Sequence, residues 1–172
     1  METSDERLDE AVIVALGSNL KGSYGSVQVL LEAALKTLRT EGLKPVRRSS
    51  WWRSAAWPNP IHPDYLNGVV IVETEAPPRA VLAALRRIEL AFGRRRDIVN
   101  APRTLDLDLI AHGRTVMADP DLTLPHPRAA ERLFVMGPLA EIAPAWGHPA
   151  LGKTAQALAA KASVGRDALP IG

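Results

Sequence analysis

Ala11-Val12-Ile13-Val14-Ala15-Leu16 is an unbroken β-prone apolar run that ends in Gly17-Ser18-Asn19. A strand without polar alternation is buried on both faces, so this segment reads as a central strand closed by a turn. Downstream, Val27, Leu30, Leu31, Ala34, Leu35 and Leu38 recur at helical spacing, and Gly42 supplies a stop. Residues 44–53 read as a strand ending in Trp51-Trp52-Arg53. Trp57-Pro58-Asn59-Pro60-Ile61-His62-Pro63 holds three prolines in seven residues and is a loop of restricted backbone freedom. Leu66 to Thr74 is again a strand. Pro77-Pro78 opens a helix whose stripe is Val81, Leu82, Leu85, Ile88 and Phe92, with Gly93 past its end. An arginine-rich loop runs to Pro102, and Thr104 to Ala111 alternates as a strand. The order strand, helix, strand, strand, helix, strand is the ferredoxin-like pattern, a sheet with helices on one face. The continuously apolar strands require cover on the second face too, from segments after residue 125.

The 172 residues, 47% hydrophobic and 23% charged, suit one domain, expected over residues 11–172 after a disordered acidic tail at 1–10. The absence of cysteine excludes disulfides, thiolate metal sites and cysteine nucleophiles. No apolar run approaches the roughly 18 residues of a membrane span, so a cytoplasmic protein without membrane partners is expected. Net charge is only +2, but Arg79, Arg86, Arg87, Arg94, Arg95, Arg96 and Arg103 crowd the stretch 79–103 against Glu89 and Asp97. Arginine makes forked contacts with phosphate, and so local a charge suits a small anion better than a long nucleic acid. An RNA-binding sheet would expose aromatic residues on its central strands; 11–16 and 66–72 contain none.

Several phosphate motifs fail. Gly22 is followed by Ser23 where a phosphate loop needs lysine, and no Gly-x-Gly-x-x-Gly is present. Gly22-Ser23-Tyr24-Gly25 matches the short loop of KH domains but follows a strand instead of joining two helices. The histidines at 62, 112, 126 and 148 lack zinc spacing. Two motifs hold. In Arg103-Thr104-Leu105-Asp106-Leu107-Asp108-Leu109-Ile110 the leucines point one way and Asp106 and Asp108 the other. Same-face neighbours lie about 6.6 Å apart at Cα, within reach of a shared hard cation and its phosphate ligand. The alternative is an outer strand face that is merely acidic. The second motif, Arg94-Arg95-Arg96 past a helix end, is either a solvated basic loop or an anion clamp.

Taken together, Ala15-Leu16-Gly17-Ser18-Asn19-Leu20, Pro63-Asp64-Tyr65-Leu66-Asn67, Gly93-Arg94-x-Arg96, Pro102-Arg103-Thr104-Leu105-Asp106-Leu107-Asp108, Leu124-Pro125-His126-Pro127 and Pro138-Leu139-Ala140-Glu141-Ile142-Ala143-Pro144 resemble, in that order, the 6-hydroxymethyl-7,8-dihydropterin pyrophosphokinase family of folate biosynthesis. The resemblance covers roughly residues 11–150. It implies a mostly antiparallel three-layer α/β/α elaboration of the ferredoxin-like sheet. It also implies transfer of the diphosphate of ATP to the pterin hydroxymethyl group, with release of AMP and use of two Mg2+ ions. The implied partners are these small molecules alone, and the implied state is a monomer. Carried over by position, Asp106 and Asp108 hold the metal and, with Arg94 and Arg103, are catalytic. Arg94, Arg96, Arg103, His126 and Arg132 meet ATP phosphates, and Glu89 and Leu109 lie by adenine and ribose. Ser54, Ala55, Trp57, Tyr65, Asn67 and Phe134 form the pterin site, the two rings stacking on the flat heterocycle and the amide reading its polar edge. Read without the resemblance, Tyr65 and Phe134 are equally core residues, Asn67 a turn residue, His126 a loop histidine and Glu89 a helix acid paired with an arginine. Two departures stand out: Ala55-Ala56 where the family often has Pro-Pro, and Asn100 where it has tryptophan.

Overall fold

The computed structural model describes residues 8–55, 63–93 and 104–171. Strand β1 (Val12–Ser18) is buried along its whole length and sits inside the sheet, between β4 (Tyr65–Glu73) and β5 (Asp106–His112). The remaining strands β2 (Lys44–Arg48), β3 (Trp52–Ser54) and β8 (Leu169–Pro170) complete a sheet ordered β5-β1-β4-β3-β8, with β6 (Met117–Ala118) and β7 (Thr123–Leu124) forming a separate hairpin. β1 pairs antiparallel with both β4 and β5, and β2 and β3 pair with β4, which is the ferredoxin-like arrangement.

Helices α1 (Val27–Thr40) and α2 (Pro78–Ala91) cover one face; α3 (Leu133–Ile142) and α4 (Ala155–Lys161) cover the other. The period-two alternation of β1 divides its residues between two cores. Val12, Val14 and Leu16 join α1 and α2, while Ile13 and Ala15 join α3 and α4. The expected second-face cover is therefore present as a third layer. Each buried leucine of α1 (Leu30, Leu31, Leu35, Leu38) contributes about 2 kcal/mol to the first core. Ser26 caps α1 by accepting the Val29 N–H at 3.1 Å. Gly42, at φ +80°, ends it: the Leu43 and Gly42 N–H groups return to the Leu38 and Arg39 carbonyls.

The strand expected at 44–53 is two strands. Ser49 offers its hydroxyl oxygen, in place of a backbone carbonyl, to the Val69 N–H at 2.9 Å. Glu141 of α3 takes the Ser50 N–H at 2.6 Å and the Trp52 Nε1–H at 3.0 Å. Ser49 keeps its own N–H on the Val69 carbonyl at 2.9 Å, but Ser50 leaves the ladder, and Trp51 and Trp52 turn to opposite faces. Trp51 lies so close over Gly68 that a Cβ there would fall 2.6 Å from its ring; Trp52 lies likewise on Gly137. Residues 8–10, expected in the acidic tail, are among the described residues. Leu8, assigned to the acidic tail, is 6% exposed within the second core, and Asp9 lies 3.6 Å from Arg114.

Candidate active site

The sheet register assembles the site. Asp106 on β5 pairs with Gly17 on β1, Gly17 with Asn67 on β4, and Asn67 with Trp52 on β3. Paired residues in adjacent strands share a face, so these four form one row across the α3 side of the sheet. Asp108 stands in the next row, opposite Ala15, and Tyr65 two residues before Asn67 faces the same side. Two strand spacings, about 10 Å, separate Asp106 from Asn67. Asp106 and Asp108 are half-buried, whereas Leu105, Leu107 and Leu109 are at most 4% exposed in the opposite core. The alternation expected of this strand is present, and it aims both carboxylates where Asn67 aims its amide.

Gly17 explains part of the Gly17-Ser18-Asn19 turn, to which no role was assigned from sequence. The Asn67 amide lies across it, and a Cβ at Gly17 would stand 2.5 Å from Asn67 Oδ1. Ser18 is buried, its hydroxyl held between the Thr104 and Leu20 carbonyls, and Thr104 in turn bonds the Phe92 carbonyl. Asn19 Nδ2 donates to the Pro63 carbonyl at 3.2 Å. The turn thereby ties β1 to the entrances of both β4 and β5.

At its outer edge β5 borders a cleft of about 290 Å³, lined by Leu82, Arg86, Glu89, Leu107, Asp108, Leu109, the β6–β7 hairpin and His126. Glu89 is 1% exposed, and its carboxylate accepts the Leu107 N–H at 2.9 Å. The exposed helix acid that the sequence allowed is thus a buried wall of the cleft. The Leu109 side chain is sunk in the first core, so its contribution to the cleft is that of its backbone on the strand edge. Arg79 reaches from α2 to Asp119 and Asp121 and ties the hairpin over this cleft. A larger open depression of about 460 Å³ lies outside α1, but its carboxylate, Glu32, is already bound to Arg48 and Trp51.

β1 and β5 slip register between Ile13 and Val14, so Ile110 is an extra residue in its strand. Its carbonyl takes the His126 N–H at 2.8 Å, which seats the imidazole beside Asp108. His126 Nδ1 accepts the Arg128 N–H at 3.2 Å, leaving Nε2 to carry the proton. Burial lowers the His126 pKa, the Asp108 charge raises it, and Arg132 and Arg128 lower it; the net direction is down.

Phe134 occupies the first turn of α3, and the Arg132 guanidinium lies 5.7 Å from its ring centre. Behind the ring, Gly165 at φ +70° comes so near that a Cβ there would be 2.5 Å from Cδ1. Ser54 is buried at the end of β3, opposite Tyr65, and Ala55 follows it with its N–H bound by Asp167 at 2.7 Å. Asp106, Asp108, Asn67, Tyr65, Ser54, Ala55, Phe134, His126 and Arg132 thus frame one side of the sheet, with Glu89 and Leu109 at the β5 edge. Arg94, Arg96, Arg103 and Trp57 lie outside the described residues. The contributions of Gly17, Gly165 and Asp167 were missed. Gly17 alone had a local signal, a glycine at the end of an apolar strand.

Among the described residues no helix is long and apolar enough to cross a membrane. A family model described as 7,8-dihydro-6-hydroxymethylpterin-pyrophosphokinase matches residues 13–144. A 2-amino-4-hydroxy-6-hydroxymethyldihydropteridine pyrophosphokinase of Synechocystis is 44% identical over 143 residues, 83% of this chain and 71% of that protein. A protein of the same description from Pseudomonas aeruginosa is 38% identical over 137 residues, 78% of this chain and 82% of its own. A mitochondrial folate synthesis bifunctional protein of Pisum sativum is 38% identical over 134 residues, but this chain spans only 25% of it. The crystal structure of wild-type Plasmodium falciparum HPPK-DHPS aligns with a TM-score of 0.69 at 13% identity, over 88% of this chain and 44% of that one, a likeness of fold.

Proposed function

We propose, from the premise that the chain belongs to the 7,8-dihydro-6-hydroxymethylpterin-pyrophosphokinase family, that the β5 edge holds ATP and the α3 face of the sheet holds the pterin. The chain is a pyrophosphokinase of folate biosynthesis, a transferase acting on ATP and 6-hydroxymethyl-7,8-dihydropterin. The observation that carries the assignment of sites is the row Asp106–Gly17–Asn67, which with Asp108 in the next row puts two carboxylates and an amide on one face, beside the cleft at the β5 edge.

In this reading Asn67, with one donor and one acceptor edge, pairs with the alternating donors and acceptors of the pterin. Tyr65 and Phe134 flank the flat ring, and Ser54, Ala55 and, on the resemblance, Trp57 line its far end. Leu107 gives its N–H to Glu89 on the outer edge of β5. In an antiparallel strand Leu109, two residues on, presents its backbone to the same side, where a purine edge can pair with it. His126 Nε2–H, Arg132 and, on the resemblance, Arg94, Arg96 and Arg103 receive the phosphates.

Asp106 and Asp108 fit a hard divalent cation: both are carboxylates, half-exposed, on one face of one strand. Asp106 and Asp108 would be the residues that hold the cation, and Mg2+ takes phosphate and water readily as its other ligands. Two Mg2+ ions, when bound there, neutralise and polarise the triphosphate. The chain's own part is positioning: it points the pterin hydroxyl at the nucleotide and holds both still. The bond formed joins that oxygen to the β-phosphorus, the bond broken is the α–β phosphoanhydride, AMP leaves, and the hydroxyl proton passes to water. A cytoplasmic, monomeric enzyme acting on these two small molecules belongs to the same proposal.

Incubation with ATP, Mg2+ and the reduced pterin, followed by chromatography of the nucleotides, tests the reading. AMP is expected one-for-one with pterin diphosphate and only when the pterin is present. Stoichiometric ADP, or product formation independent of the pterin, overturns it in favour of a general phosphotransferase.

A further inference from the structure

The last part of the chain crosses from one wall of the proposed pterin slot to the other. At one end the Leu133 N–H donates to the Val164 carbonyl at 2.9 Å, and the Val164 N–H to the Glu131 carbonyl at 2.9 Å. These bonds fix it beside Arg132 and the first turn of α3. At the other end Leu169 and Pro170 pair with Arg53 and Trp52, and the Ile171 N–H donates to the Trp51 carbonyl at 2.9 Å. Between these anchors the segment touches the slot twice. Gly165, in a left-handed conformation, backs the Phe134 ring, and Asp167 Oδ2 accepts the Ala55 N–H at 2.7 Å.

We infer that residues 163–171 act as a strap that sets the pterin slot, with Gly165 fixing the depth of the Phe134 ring and Asp167 a positioning residue for the Ser54–Ala55 peptide. The inference rests on the functional reading above and assigns a role to a segment in which the sequence carried no identifiable chemistry. Pairing of β8 with β3 is enough to cover the sheet edge, and neither slot contact is needed for it. Gly165 packs against the Phe134 ring and the Arg132 guanidinium lies over it, 5.7 Å from its centre, so the ring is held in place by the strap and by the turn that precedes α3. A trans peptide is planar, so an N–H held by Asp167 directs the Ser54 carbonyl the opposite way. The exposed Ala55 N–H could bond water, and Asp167 holds it in one direction instead.

Titration calorimetry with the full chain tests this, using the reduced pterin in the presence of a non-hydrolysable ATP analogue, and the analogue alone. Asp167→Ala is expected to weaken pterin binding about three- to tenfold, the loss of one hydrogen bond at a binding wall. Asp167→Asn, which still offers an acceptor oxygen, should restore it to within about twofold of wild type. Affinity for the analogue should stay within about twofold throughout. Gly165→Ala should weaken the pterin more strongly, because the added methyl meets the ring and the backbone is strained. Asp167 is exposed, so its variants decide the matter even where the glycine variant fails to fold. Equal losses for both ligands, or Asp167→Ala binding the pterin as wild type does, overturn the strap alone. Wild type that binds the analogue but no pterin overturns the functional reading and the strap with it.

Discussion

Gly17→Ala separates recognition from folding at a single methyl group. The Cβ it introduces falls 2.5 Å from Asn67 Oδ1, 3.5 Å from Asn67 Cγ and 3.7 Å from the Leu66 carbonyl oxygen. The last two are ordinary contacts, so only the end of one flexible side chain must move. Folding stability should therefore change by no more than about 1 kcal/mol, helped by alanine's lower unfolded-state entropy. The displaced amide, however, no longer meets the pterin edge. Loss of a buried donor and acceptor pair costs about 1–3 kcal/mol, or roughly 5- to 150-fold in pterin affinity. Calorimetry and thermal denaturation on the same samples measure the two quantities. Asn67→Ala removes the atom that the methyl meets, so Gly17→Ala should cost little more pterin affinity in that background. Wild-type pterin affinity in Gly17→Ala, or strictly additive losses in the double variant, would falsify the contact between this glycine and substrate recognition.

Asp106→Ala and Asp108→Ala should each abolish turnover while shifting the melting temperature by only a few degrees; near-normal activity at moderate Mg2+ contradicts the metal assignment. Glu89→Ala strands the buried Leu107 N–H and should destabilise the fold by about 1–3 kcal/mol, measured by urea unfolding, whereas Glu89→Gln keeps an acceptor and should lose less. The Glu32 pKa is held below its ordinary 4.5, first by the hydrogen bond from Arg48, against the opposing effect of burial, and with further help from Trp51. A depressed carboxylate stabilises the fold above its unfolded pKa and loses that contribution as pH falls through the folded value. Acid unfolding curves of wild type should therefore drop more steeply below about pH 4.5 than those of Glu32→Gln; parallel curves would show that the Glu32–Arg48 pair contributes nothing.

Period and punctuation made most of the sheet legible. The continuous run at 11–16 could only be a strand buried on both faces, and Gly42 could only end a helix, because both follow from local sterics and burial. The Leu-Asp alternation of 105–109 likewise determined which side of β5 is acidic before any partner strand was known. Where neighbours in space compete with the ladder, local reading failed. Ser49 gives its hydroxyl in place of its carbonyl to the Val69 N–H on β4, the Ser50 N–H goes to Glu141 on α3, and the strand divides there. The buried Glu89 reads as a helix acid because its partner, the Leu107 N–H, is 18 residues away.

By itself the sequence determined the order of elements up to residue 111, apart from the division of 44–53, the orientation of Asp106 and Asp108, and a set of motifs spread along the chain. What only the tertiary structure decided is their meeting. Asp106, Gly17, Asn67 and Trp52 come from four strands, and nothing but the antiparallel register places them in one row. Gly17 and Gly165 matter for the volume they leave to Asn67 and Phe134, residues 50 and 31 positions away in the chain. A side chain's chemistry and its alternation along a strand are local properties, readable in order. Register, bulge position and the space left by a missing Cβ depend on which segments pack together, and that is settled only when the whole sheet closes between its two helical layers.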